Sequence, residues 1–149
     1  PSPKVATYNL QPSMSAQKVT DAIIHEIENV PADFICLNFA NPDMVGHTGV
    51  YKAVIEALET VDNCLQQVVE AGLKQDYSFI IIADHGNADF MINPDGTPNT
   101  AHTTNPVPCF LVNTDFNEIK NGKLADIAPT VLKIMGITIP KEMNGDVLV

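Results

Sequence analysis

The sequence is 149 residues long and 45% apolar, enough to bury a core and too apolar for a disordered chain. Eighteen acidic against 8 basic residues give a net charge of −10, which argues against nucleic acid or an anionic membrane as partner. If the substrate is also an anion, so few basic side chains leave metal ions as the means of holding it.

No apolar stretch approaches the ~18 residues of a membrane span, and no basic-then-apolar leader opens the chain. Cys36 and Cys109 sit in apolar, strand-like runs and Cys64 lies on a helix, with no C-x-x-C pair. All three therefore read as buried, reduced thiols of a cytoplasmic protein.

In chain order, residues 1–13 are extended and proline-punctuated, with room for a short strand over 5–8. Ser13 or Ser15 can cap a helix over 16–29 that Pro31 stops. Its apolar stripe is Val19, Ala22, Ile23, Ile27 and Val30, with His25 on the solvent face. Residues 33–39 (DFICLNF) read as the first strand, followed by a polar loop through 49. The longest helix spans 50–71, with Val54, Leu58, Val61, Leu65 and Val68 in one stripe and Gly72 as its stop. Residues 79–83 (FIIIA) are too few for a helix and rich in Ile, which predicts a strand covered on both faces. A further short strand over 88–92 is turned by Asn93-Pro94-Asp95-Gly96. A third buried strand follows at 107–112, then a helix over 124–135 with Pro129 in its first turn. This order indicates an α/β layer fold. It holds fewer strands and helices than a complete doubly wound domain, so residues 1–149 read as part of a single domain.

Chemistry concentrates where strands end. Asp43 and His47 follow the first strand, Asp84 and His85 follow the second, and His102 lies in the polar loop before the third. Taken singly, each has a plain alternative. Asp43 can begin a turn, His47 can be loop polarity, and His102 can bond backbone. Together, three imidazoles and two carboxylates at one end of a sheet suit Zn²⁺, Mn²⁺ or Fe²⁺, and exceed what one tetrahedral site needs. Two neighbouring ions, the usual clamp for displacement at phosphorus, fit that excess. No serine stands in a setting that marks it as a nucleophile; Thr103 and Thr104 adjoin His102, but no base is located for them. There is no G-x-x-x-x-G-K-[ST] and no G-x-G-x-x-G, and among the bases only Lys4 is placed near a phosphate.

At NPDMVGHTG, ADHGNAD and TAHTTNPVP, with PSPKVATYNLQPSMSA before and MNGDVLV after, the sequence resembles the cofactor-independent phosphoglycerate mutases of the alkaline phosphatase superfamily. The resemblance covers essentially the whole chain. It implies a three-layer α/β/α sandwich with a mostly parallel sheet, of which residues 1–149 are a C-terminal segment. It implies Asp43, His47 and His102 as ligands of one ion and Asp84 and His85 as ligands of a second. The ions would be two Mn²⁺, with Co²⁺, Zn²⁺ or Fe²⁺ in some relatives. The implied reaction interconverts 3-phosphoglycerate and 2-phosphoglycerate in glycolysis through a phosphoserine. That serine, one further aspartate ligand and most substrate-binding residues belong to family portions absent from this sequence. The chain alone is therefore expected to be inactive, its partners being the phosphoglycerates and the absent segment with its transferase domain. Two other functions fit the same residues: a metal-dependent phosphatase or phosphodiesterase, and a non-catalytic metal-binding module.

Overall fold

A computed structural model describes residues 2–149. The chain divides into two compact units, both discontinuous in sequence: one runs to Asp76 and resumes over His85–Pro106, the other combines Tyr77–Asp84 with Val107–Val149.

The first unit is helical. Helix α1, Ala16–Asn29, has the expected bounds, and its last-turn carbonyl at Glu26 accepts from the N–H of Val30. The short helix α2, Asn41–Gly46, carries Pro42 in its first turn, where a missing N–H costs nothing. Helix α3 spans Tyr51–Lys74. Gly72 does not stop it: that glycine is buried inside the last turns, and the chain leaves the helix at Asp76, in a left-handed conformation at φ 60°. Helices α1 and α3 pack together, as do α2 and α3.

The buried faces differ from the expected stripes. On α3 the buried residues are Ala53, Val54, Ala57, Cys64, Val68, Ala71 and Gly72, while Leu58 stays 38% exposed. Small side chains are what let neighbouring helices approach closely. On α1 the buried set is Ala16, Thr20 and Ile27, and Val30 is exposed. Val45, Ala53, Val54, Ala57 and Met91 form the core of this unit, with Tyr8, Met14 and Ala88 against it. That core ties the helix carrying Asp43 to the segment that follows His85.

Three expected strands of this unit do not form. Residues 5–8 lead into a 3-10 turn, Tyr8–Leu10. Residues 33–39 join no ladder, and Phe34 and Cys36 are exposed. A strand needs a neighbour's N–H and C=O groups, and among the described residues none is offered there. Residues 88–92 contribute a single bridge, Ile92 to Pro98, closed by the expected turn in which the N–H of Gly96 donates to the Asn93 carbonyl at 2.9 Å.

The second unit holds β1, Phe79–Ile82, and β2, Cys109–Val112, paired antiparallel with Phe79 opposite Val112 and Ile82 opposite Cys109. The α/β class stands, and this one ladder is an antiparallel pair within the mostly parallel sheet that the resemblance implies for the whole domain. Neither face of this pair is fully covered: Ile82 is 37% and Phe110 57% exposed, and Cys109 is half-buried. Of the three thiols expected inside, only Cys64 is fully buried. A 3-10 turn, Leu124–Asp126, leads into helix α4, Ile127–Ile134. Asp126 pins this end of the chain. Its Oδ2 accepts the Lys123 N–H and its Oδ1 the Asp146 N–H, both at 2.9 Å. Those two backbone amides, Lys123 first, hold its carboxyl below the usual carboxylate range.

Candidate metal centre

Helix α2 places Asp43 and His47 four residues apart, and therefore on one face. The His47 Nε2 lies 3.1 Å from Asp43 Oδ1. On the other side of that ring, Nδ1 is 2.7 Å from the Thr100 carbonyl oxygen. A carbonyl can only accept, so Nδ1 carries a proton and fixes the ring with Nε2 toward Asp43.

His102 arrives from the polar loop: its Nε2 is 3.0 Å from the same Asp43 oxygen and 3.1 Å from His47 Nε2. His85, just past β1, stacks on His102 with ring centroids 3.8 Å apart and brings its Nε2 to 4.0 Å from Asp43 Oδ1. One carboxylate oxygen is thus ringed by three imidazole nitrogens. His47 and His102 are nearly half exposed, so the cluster is open to solvent on one side.

This donor set fits a divalent cation. With Nδ1 of His47 protonated, the neutral ring turns a lone pair toward a carboxylate oxygen 3.1 Å away. That contact is favourable only if an added proton or a metal ion lies between the two atoms. The separations of 3.0–3.1 Å among His47 Nε2, His102 Nε2 and Asp43 Oδ1 approach the edge, about 3.3 Å, of a tetrahedron with ~2.0 Å bonds. Asp43, His85 and His102 also place ligand atoms within 4.8 Å of one another.

Of the residues predicted from sequence, the structure gathers Asp43, His47, His85 and His102. Asp84 is exposed and falls in the second unit. Lys4 is exposed near the start of the chain. The hydroxyl of Thr103 donates to Asp89, at 3.0 Å to Oδ2 and 3.2 Å to Oδ1. It is engaged as a hydrogen-bond donor rather than set against an imidazole.

Two residues with a part in the site escaped the sequence reading. Asn87 is 95% buried and donates from Nδ2 to Asp43 Oδ1 at 3.2 Å. Its Oδ1 has no hydrogen-bond partner and lies against Gly46, where a Cβ would overlap it. Only a residue without a side chain fits there. The signal was present in the order His85-Gly86-Asn87, an amide next to candidate ligands. The Thr100 carbonyl that orients His47 had no signal, because backbone groups carry no residue type.

The proteins this chain is similar to are metalloenzymes and phosphoglycerate mutases. The Metalloenzyme superfamily matches residues 1–139. The 2,3-bisphosphoglycerate-independent phosphoglycerate mutase of Flavobacterium psychrophilum is 59% identical over 147 residues, covering 99% of this chain and 29% of the relative. The enzyme of the same name from Bacteroides thetaiotaomicron is 55% identical over 150 residues, 100% of this chain and 30% of its own length. Among solved structures, Leishmania mexicana phosphoglycerate mutase at low cobalt concentration superposes with a TM-score of 0.88 and 30% identity, over 100% of this chain and 30% of that one. The chain therefore spans about 30% of the length of the relatives it matches. With a family match across nearly every residue and a shared α/β fold along the whole of it, the chain belongs to the metalloenzyme superfamily.

Proposed function

We propose that this chain is the metal-holding part of a phosphoglycerate mutase that interconverts 3-phosphoglycerate and 2-phosphoglycerate in the cytoplasm, with Mn²⁺ as its ion. The observation that carries the reading is the convergence of His47, His85 and His102 on Asp43 Oδ1, in a chain 59% identical to a protein of that name. A divalent ion held by Asp43, His47, His85 and His102 would supply charge to polarise phosphoryl oxygens during transfer. The residues of the chain prepare its place. Thr100 locks the His47 tautomer, Asn87 steadies the Asp43 oxygen, and the His85–His102 stack keeps two imidazoles together. Asp84 would serve a second ion, and Lys4 a substrate phosphate. The phosphoryl acceptor would come from protein outside these 149 residues, because the hydroxyl beside the cluster, Thr103, is held by Asp89.

The test measures metal bound and mutase turnover in one sample. The chain alone should hold Mn²⁺ without turnover, and His47→Ala should lose the ion. Adding the remaining portion of the protein should restore conversion. Phosphate release in place of isomerisation would point to a phosphatase. Failure to bind any divalent ion would sink the reading.

A further inference from the structure

Beside the cluster lies a second polar network, whose Gly86 carbonyl oxygen also lies 3.4 Å from His85 Nδ1. Gly86 and Thr103 form an antiparallel bridge in which the Thr103 N–H donates to the Gly86 carbonyl at 2.8 Å. These two residues directly follow His85 and His102, so the bridge joins the two segments that carry the stacked imidazoles. Asp89 closes the same junction. It accepts the Thr103 hydroxyl on both carboxylate oxygens, and Asn105 Nδ2 at 2.6 Å on Oδ2. Gly86 is buried beneath: a Cβ there would overlap Thr103 Oγ1 and stand 2.6 Å from Asp89 Oδ1. Three side chains and a missing fourth therefore occupy one small space.

We propose that Asp89 is a positioning residue for the metal centre, acting through Thr103, Asn105 and the Gly86 bridge to hold His85 and His102 in register. One histidine ligand set on each of two loops would otherwise have to be ordered when the ion binds, at a cost in affinity. Asp89 removes that cost by crossing from the His85 segment to the His102 segment, where it accepts the Thr103 hydroxyl, shared between its two oxygens, and the Asn105 amide. Asp95 makes a similar carboxylate–hydroxyl contact, to Thr97 Oγ1 at 2.6 Å, but closes only its own turn. It is an internal control.

The inference rests on the metal-binding reading of the preceding section. The experiment titrates the full chain with Co²⁺ and Mn²⁺, by calorimetry and by the visible absorption of bound Co²⁺, for the wild type, Asp89→Ala, Asp89→Asn and Asp95→Ala. Thermal unfolding of each is recorded with excess chelator. Asp89→Ala should weaken affinity by ~10-fold or more, the usual effect of losing a residue that supports a ligand, and should alter the Co²⁺ spectrum. Asp89→Asn keeps the shape but meets the Asn105 amide with a donor, and should fall between. Asp95→Ala should bind as the wild type does. Chelated Asp89→Ala should melt close to the wild type. Unchanged affinity and spectrum in Asp89→Ala would overturn the assignment. So would a loss matched by an equal loss of metal-free stability, which would mark a purely structural role. A wild type that binds neither ion would instead remove the metal-centre reading itself.

Discussion

Replacing Gly46 by alanine sets two opposing effects against each other. Gly46 is the last residue of α2, and alanine is intrinsically better in a helix by about 1 kcal/mol. The added Cβ, however, overlaps Asn87 Oδ1 and stands 2.9 Å from Asn87 Cγ. Asn87 is only 5% exposed, so it cannot swing into solvent, and forcing it aside costs about 1–3 kcal/mol. Its hydrogen bond to Asp43 lengthens as well. A bond to a charged group is worth about 1.5–3 kcal/mol, which solvent at the 31%-exposed carboxylate reduces to about 1. The balance is a destabilisation of about 1–3 kcal/mol. Urea unfolding of the chelated protein, followed by far-ultraviolet circular dichroism, reads it directly, because α1 and α3 of the same unit hold most of the helix. Mn²⁺ affinity should fall with it by about tenfold, since Asp43 loses a supporting donor. A variant as stable as the wild type, with unchanged affinity, would refute the packing argument.

Acid should act on the second unit through Asp126. Its carboxyl is depressed in the folded chain, so its stabilisation is complete above the unfolded value, near 3.8, and is lost as pH falls through the lower folded value. The stability gap between wild type and Asp126→Asn should be widest near neutrality and close below about pH 4, read by amide exchange at Lys123 and Asp146. A gap independent of pH would contradict it. Thiol alkylation should follow burial: exposed Cys36 first, then Cys109, whose thiol burial pushes up, and buried Cys64 last. Peptide mapping over a time course checks the order, and early loss of Cys64 would contradict it.

Helix α1 was legible to the residue because a long 3.6-residue period and a stopping proline leave little choice. The buried face of α3 was not. Leu58 has the stronger preference for the interior, yet Ala57 has the contact, since a partner helix selects for size as well as polarity. The run 33–39 shows a different limit, because ladder formation depends on a neighbour that the segment's own residues do not encode. Candidate ligands were easier to find. Asp43, His47, His85 and His102 stood out by falling outside any apolar period, and they meet at one point. The mostly parallel sheet, by contrast, came from the family resemblance and not from any residue pattern, since element order does not set strand direction when 26 residues separate β1 from β2.

The interleaving of the two units bears on how the chain is made. The polypeptide passes from one unit to the other three times, after residues 76, 84 and 106. Neither unit can finish as a local event, and contacts so distant in sequence slow folding. His47 and His102 are 55 residues apart, so at typical synthesis rates of 5–20 residues per second the first waits roughly 3–11 seconds for the second. Of the four clustered candidate ligands, a nascent chain that has emerged only as far as α3 offers a cation Asp43 and His47 alone, a weak and unselective pair. Any loading of this site with metal thus belongs to the end of folding, and a cation cannot template the early stages through it.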